Sequence, residues 1–487
     1  MTDTESIGRT GDFRLDETKI ITVDGTEIDV TMQVSEIEIV EDIENPHLTG
    51  TIAFLDQGNF QNLLPLIGNE ILQLKLRTPG LNSNEDIIEA LFFIDTLVGT
   101  KEVNDNNRAH VFDFQSLECI TNQRKSVQRT LRGSISDIVK TILRTDLEST
   151  KDIYFDPSVG VKSIIAPDMA PFNFINMVLP QAVSSKYGNP SYMFFESLRG
   201  FHFRSLESLY DMTNGTSDLS GSYTTSTMSG LNRDRKGGTN PLIEYAQMRD
   251  YTVQLAYDQT LDSKNGAFGC NLTTHDIFNK TYTDTTYNYL TSFEDEKHIN
   301  SFFGKKENPI YSKVAVNKFK NTASDVAQKS FYLPVSLADQ NKRTDSHFSK
   351  HDGSYPFSAY NPDSWITKRT TMIHNFDAVS VSMVVDGHTM INAGDIVEVN
   401  IPYNSRNKGE EGLDKFFRGP MLVRNLKHMF NTGSGKHAMQ LSCVKDCVEN
   451  ELPGDPEVFP VPDTFGKSKQ LRPDNIDVAT AVNTSDL

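Results

Sequence analysis

The sequence predicts an α+β fold: two antiparallel β segments toward the ends of the chain, a mixed α+β insert after the first, and an extended acidic C-terminal tail. Three observations lead there. Apolar and polar residues alternate in short runs over 19–120 and again over 371–447, the period of strands with one buried face. Helical spacing appears between them, at 121–210. Residues 448–487 carry five prolines and neither period, as an extended segment does. At 487 residues the chain is too long for one ordinary domain.

An acidic arm, 1–18, precedes the first β segment, 19–120. Lys19 to Val23 run into Asp24-Gly25, a hairpin signal. Ile28, Val30, Met32 and Val34 then alternate as one half-buried strand. Ile37 and Ile39 continue on the opposite parity, which predicts a bulge near Ser35. Leu48, Gly50, Ile52 and Phe54 make the next strand. A helical turn is expected around Phe60–Leu66, and strands at Leu72–Leu76, Leu91–Val98 and His110–Leu117. Short strands at this spacing predict a barrel or a sandwich.

The insert, 121–210, opens with Ile135, Ile138, Val139, Ile142 and Leu143, one stripe of an amphipathic helix that Ser134 is placed to cap. Pro171 suits the first turn of a second helix. Phe172, Ile175, Leu179 and Ala182 share its buried face, and Pro180 kinks it or starts a new segment. Tyr192–Phe195 and Phe201–Leu206 read as a hairpin closed by Leu198-Arg199-Gly200. The middle region, 211–370, is loop-rich. Residues 213–240 read as one long loop, 242–300 as short strands between polar turns, and part of the region is expected to complete the β segments. In 371–447, Phe376–Val385 runs into Asp386-Gly387, a second hairpin signal. Val397, Val399 and Ile401 alternate, and Met421–Phe430 and His437–Cys443 flank a Gly433-Ser434-Gly435 turn. The two Asp-Gly turns suggest equivalent points in two copies of one barrel.

Lys and Arg total 47 against 65 Asp and Glu, a net charge of −18. That balance argues against nucleic-acid binding and against docking on anionic lipid. Residues 1–50 hold 13 acids and 3 bases, and residues 448–487 hold 8 and 3. Two readings follow: solvated ends, or ends that order on a partner. No apolar run approaches the ~20 residues that span a bilayer, and 1–11 has no apolar signal core. A soluble chain made in the cytoplasm is expected. Four scattered cysteines make no disulfide framework, and Cys443 and Cys447 have no second close pair to complete a zinc site.

Reactive constellations are missing from the sequence. Gly433-Ser434-Gly435-Lys436 resembles the end of a phosphate loop, but Phe430 stands where glycine is needed and His437 where Ser or Thr is needed. His347 and His351 are four apart in loop-like surroundings with no third ligand. No cofactor, metal or catalytic residue is expected, and the chain reads as scaffold rather than enzyme.

Two stretches carry a family resemblance. "PFNFINMVLPQA" and "YMFFESLRGFHFRSLESLY" within 171–210 resemble the baseplate hub protein of T-even-type contractile-tailed phages. "NAGDIVEVNIP", "GPMLVRNLKHMF" and "HAMQLSCVKD" within 392–446 resemble the last barrel of that family, which is shared with the hub part of type VI secretion spikes. The structural residues of the resemblance are Pro171, Phe172, Phe174, Tyr192, Phe194, Gly200, Phe203, Gly394, Asp395 and Gly419.

The resemblance implies two tail-tube-like antiparallel β-barrels, at 19–120 and 371–447, with three chains closing a ring of six. Such a homotrimer joins a sixfold tail tube to a threefold central spike. Its implied partners are the spike protein, tube or tube-initiator proteins, the tape measure and baseplate wedge proteins, with DNA only in transit and no membrane. The implied place is the tail baseplate of the virion, after assembly in the host cytoplasm. A negative bore lined by acids of 1–50 would let DNA slide without sticking. The competing readings are a tail-associated cell-wall hydrolase and a peripheral receptor-binding module.

Overall fold

The computed structural model describes residues 10–56, 68–79, 87–104, 107–211, 219–225, 247–255, 259–276, 280–310, 329–335, 362–402, 414 and 416–450. The first β unit holds β1 (Arg14–Ile21), β2 (Glu27–Asp29), β3 (Val34–Asp42), β4 (Thr49–Asp56), β5 (Ile71–Arg77), β6 (Ile87–Asn104) and β7 (Asn107–Ser116). The first insert follows: α1 (Leu117–Arg124), β8 (Thr130–Gly133), α2 (Ile135–Thr141), β9 (Ile153–Phe155), β10 (Lys162–Ile165), α3 (Pro171–Val178), β11 (Tyr192–Ser197), β12 (Gly200–Ser205) and α4 (Leu206–Tyr210). The second β unit begins with β13 (Leu219–Thr225) and β14 (Gln247–Leu255). A second insert interrupts it with α5 (Gln259–Asn265), β15 (Gly269–Asp276), β16 (Thr281–Asn288), α6 (Tyr289–Ser292), β17 (Asn308–Pro309), β18 (Lys329–Val335) and α7 (Ile366–Asn375). The unit resumes with β19 (Val379–Asp386), β20 (Ile396–Asn400), β21 (Gly419–Asn431) and β22 (Lys436–Lys445), and β23 (Cys447–Val448) pairs with β17.

Alternation dictates these strands. Ile20, Ile37, Ile39, Ile52, Phe54, Leu72, Leu74, Phe92, Phe112 and Phe114 all turn into one core under the first unit, which Phe430 of β21 also enters. Val381, Met383, Val385, Val397, Val399, Met421, Val423, Met439, Leu441 and Cys443 build the second. Ser35 is the expected bulge, since the β3–β4 register shifts between Val34 and Glu36. Ser134 caps α2 by accepting from the Asp137 amide, and Pro171 opens α3, which gives way to a 3-10 turn at Leu179–Gln181.

The two units share one strand order. The first runs β1-β5-β6-β7-β4-β3 and the second β13-β20-β21-β22-β19-β14, inside a 13-stranded sheet. With the short edge strand β2 set aside and the other strands numbered along the chain within each unit, both read 1-4-5-6-3-2. In the second unit β13 also pairs with β14, so its six strands form a closed circuit of pairings. In the first, the link from β1 to β3 is made by β2 and the Thr31–Gln33 turn, whose Thr31 hydroxyl accepts from the Thr18 amide. One polarity differs: β1 is antiparallel to β5, whereas β13 is parallel to β20.

Irregularities repeat as well as order. The first bulge lies between Val34 and Glu36 on β3 and between Met248 and Asp250 on its equivalent β14. A second lies between Ile94 and Thr96 on β6 and between Val423 and Asn425 on β21. Following the pairings from one bulge to the other makes Phe114 equivalent to Cys443, Ile52 to Met383 and Glu70 to Asp395. The Ile94 amide donates to the Glu70 carbonyl at 2.9 Å, and the Val423 amide to the Asp395 carbonyl at 2.8 Å.

Within the chain the units join edge to edge. Asn425–Asn431 of β21 pairs antiparallel with Glu36–Asp42 of β3. Glu36 accepts from the Asn431 amide, Glu38 pairs with Lys427, Asp42 accepts from Asn425 and Glu44 pairs with Arg424. These N-terminal acids, expected to face a bore, are engaged by β21.

Four expectations need correction. Ile28–Val34 is not one strand: β2 ends at Asp29, a 3-10 turn follows, and Met32 is 96% exposed on it. Asp386-Gly387 closes no hairpin, because the next strand, β20, pairs with β13 and β21 instead of β19. Asp386 instead receives Thr10 and Arg249, so its likeness to the true hairpin at Asp24-Gly25 is one of sequence alone. Within 213–240, read as loop, Leu219–Thr225 is a strand held by β20. Phe376 follows α7 and precedes β19, which starts at Val379. The turn expected at Phe60–Leu66, the histidines at 347 and 351 and the tail beyond 450 lie outside the described residues.

Candidate functional site at the junction of the two units

The two stretches that carry the resemblance meet in space. Both strands of the hairpin β11–β12 are buried along their whole length, because they lie between two cores. Tyr192, Phe194, Phe201 and Phe203 face the first insert with Phe172, Phe174 and Ile175 of α3. Phe172 packs on Phe194 and Phe201 at 5.9 and 6.3 Å between ring centroids, and Tyr192 on Phe203 at 4.8 Å. Met193 and Phe195 face the other way, into a junction core with Ile43, Ile396, Leu422 and Val444.

The tip of this hairpin docks on the loop before β20. Arg199 donates to Asp395 at 2.7 Å and to the Met390 carbonyl at 2.8 Å, and Asp395 also accepts from the Asn392 amide. Gly394, at φ +88°, lies where a Cβ would sit 2.8 Å from the Phe195 ring. Gly200, at φ +139°, brings its backbone against the Asp152 carbonyl. At both positions glycine is required by contact as well as by backbone conformation.

Two buried carboxyls tie the pieces together. Glu41 of β3 accepts from the Leu198 amide at 3.3 Å and the Ala393 amide at 2.7 Å, joining the first unit to the hairpin and to the second unit. Burial pushes its carboxyl up to about 8, against the pull of those two amides. Glu196 of β11 accepts from the Leu48 amide, the Ser116 hydroxyl and Lys151, and Lys151 also pairs with Glu118. Burial raises the Glu196 carboxyl, while Lys151 opposes it. A third tie is His298, which meets Asp446 at 2.9 Å. Burial lowers its imidazole, but the Asp446 charge and hydrogen bond outweigh this and hold it at about 9.

Of the ten residues the resemblance selects, Pro171, Phe172, Phe174, Tyr192, Phe194 and Phe203 form the insert core, and Gly200, Gly394 and Asp395 lie at the docked tip. Gly419 stands apart at the start of β21, at φ +115° near Lys305 and Glu449. Sequence reading passed over Glu41, Glu196, Lys151, Arg199 and His298, whose partners lie far along the chain. Glu41, Glu196, Arg199 and His298 each hold a bond between one unit or insert and another, and Lys151 bridges Glu118 and Glu196 within the first insert. Among the described residues no three His, Cys, Asp or Glu side chains gather as a metal site needs. All four cysteines are buried thiols, and no described helix is long and apolar enough to cross a membrane.

No protein-family model matches the chain, and no curated protein does. Solved structures similar to it include phage tail proteins and a type VI secretion component. A tail protein from Neisseria meningitidis is 9% identical at a TM-score of 0.48, with 89% of this chain and 97% of that one covered. The 43 kDa tail protein of prophage MuSo2 from Shewanella oneidensis is 8% identical at 0.47, with 88% and 98% covered. An E. coli type VI secretion component is 7% identical at 0.38, with 85% and 73% covered. Likeness of this degree leaves function to be argued from the chain's own strands.

Proposed function

We propose that the chain is a structural hub protein of a contractile phage tail, acting as a homotrimer. The observation that carries this reading is the doubled strand order, 1-4-5-6-3-2 in each β unit, with bulges at matching positions. Two equivalent modules in one polypeptide let three copies present six similar modules around an axis. The rest of the chain is not doubled. In the first unit the insert 117–211 follows the last strand, whereas in the second the insert 256–378 separates β14 from β19. Six similar modules carrying three copies of each insert suit a ring that offers a sixfold surface to a tail tube and a threefold surface to a spike. Closed symmetry is kept throughout.

The remaining parts fit a scaffold. The junction's charged groups are engaged in cross-domain bonds, and its glycines serve close packing. Tube, tape-measure and baseplate wedge proteins are the other partners of this reading, with DNA passing through. Light scattering of the purified chain, with and without the spike protein, tests it: a particle of three 54.6 kDa chains is expected. A monomer under all conditions, or peptidoglycan turnover abolished by one carboxylate substitution, would overturn it.

A further inference from the structure

Inside one chain, β21 shows what the outer edge of such a hairpin strand does. Beyond its bulge it is paired on one side by β22 and on the other by β3. Its equivalent in the first unit is β6. Beyond the matching bulge, Thr96–Asn104 pairs with β7 on one side, and no described strand lies on the other. Residues 95–102 are all exposed, including Leu97 at 39% and Val98 at 58%. An exposed edge of this length is a template for another strand.

The complementary edge is present as well. β3 pairs with β4 on one side and with β21 on the other. Its equivalent β14 pairs with β19 over Met248–Leu255 but with β13 only at Gln247 and Met248. From Asp250 to Leu255 its second edge has no described strand partner, and Asp250, Tyr251, Thr252 and Gln254 are exposed. One chain thus joins its own units by a β21–β3 seam and carries the two halves of a second such seam at separate places.

We infer that the β6 edge of one copy pairs antiparallel with the β14 edge of a second copy, repeating between chains the β21–β3 seam found within each. Transferring the internal register sets Gly99 opposite Gln254, Thr100 opposite Val253, Lys101 opposite Thr252 and Glu102 opposite Tyr251, with Val98 as an extra bulged residue. Lys101 then stands diagonal to Asp250, within reach for a favourable cross-strand pair. Each copy supplies one edge of each kind, so the contact is head to tail, the arrangement that makes a ring of three copies when its rotation closes. The inference rests on the trimer reading and names its seam.

Cysteine cross-linking tests it. Lys101 and Thr252 are exposed, and the four native thiols are buried. The double variant Lys101→Cys with Thr252→Cys, oxidised with diamide, is expected to give a covalent species of three chains, and each single variant none. A second variant, Lys101→Glu, changes an exposed residue and sets a like charge diagonal to Asp250 at each of the three seams. It is expected to weaken trimer association about tenfold while the melting of the monomer stays put. A trimer by light scattering that neither cross-links at 101–252 nor loosens with Lys101→Glu would overturn this seam and leave the trimer standing. A chain monomeric in every condition would overturn both.

Discussion

The Ala393 amide donates to Glu41 at 2.7 Å across 352 residues of sequence. That bond, with the Leu198 amide on the other oxygen of the same carboxyl, lets one side chain from the first β unit hold both the insert hairpin and the loop that begins β20.

Its pH dependence is predictable. The Glu41 carboxyl is raised from 4.5 to about 8, chiefly by burial. The folded state therefore holds its proton more tightly, and stability is lost as pH rises between those values. Glu41→Gln keeps an amide-accepting oxygen and removes the titration. Denaturant unfolding at pH 5, 6.5 and 8 should show a shallower loss in the variant, whereas parallel profiles would refute the assignment.

His298 acts in a higher window. Its folded value of about 9 lies above the ordinary 6.5, so its contribution is full below 6.5 and vanishes as pH rises through 9. It is worth up to about 3 kcal/mol at ~1.4 kcal/mol per unit. Asp446→Asn should flatten the stability profile between pH 7 and 9 and, with burial then the leading effect on the imidazole, make stability fall as pH drops below about 6.5.

Phe172 is 3% exposed among the Phe194, Phe201 and His47 rings. Phe172→Ala should cost ~3–5 kcal/mol. An unaltered denaturation midpoint would contradict its place in the core.

Gly25 and Gly394 separate strain from contact. Both have left-handed backbones, at φ +85° and +88°, but a Cβ at Gly25 meets open space and one at Gly394 meets Phe195. Gly25→Ala should cost ~1–2 kcal/mol from backbone strain alone. Gly394→Ala should cost clearly more. Equal losses would mean that the Phe195 ring moves aside freely.

Much of the local structure was legible. Ile37 and Ile39 betrayed the bulge at Ser35, Ser134 and Pro171 marked helix starts, and "YMFFES" followed by "GFHFRS" marked the buried hairpin. The repeat itself was hidden, because equivalent positions share burial and not identity: Phe114 stands for Cys443, Ile52 for Met383. Only Glu70-Ile71-Leu72-Gln73-Leu74 against Asp395-Ile396-Val397-Glu398-Val399 shows it on the page. The two Asp-Gly dipeptides do not mark it, since a turn dipeptide reports local chain reversal and says nothing of which strands pair. Glu41, Glu196 and His298 were illegible because a buried charge is recognised by its distant partners.

On the proposed reading, duplicated β modules let three chains imitate six. Electron-microscope averages of the purified oligomer, viewed down its axis, test it most directly. Three chains should appear as an inner ring of six similar lobes carrying three outer protrusions. Six chains in the ring, or three chains with an inner ring of only three lobes, would contradict it.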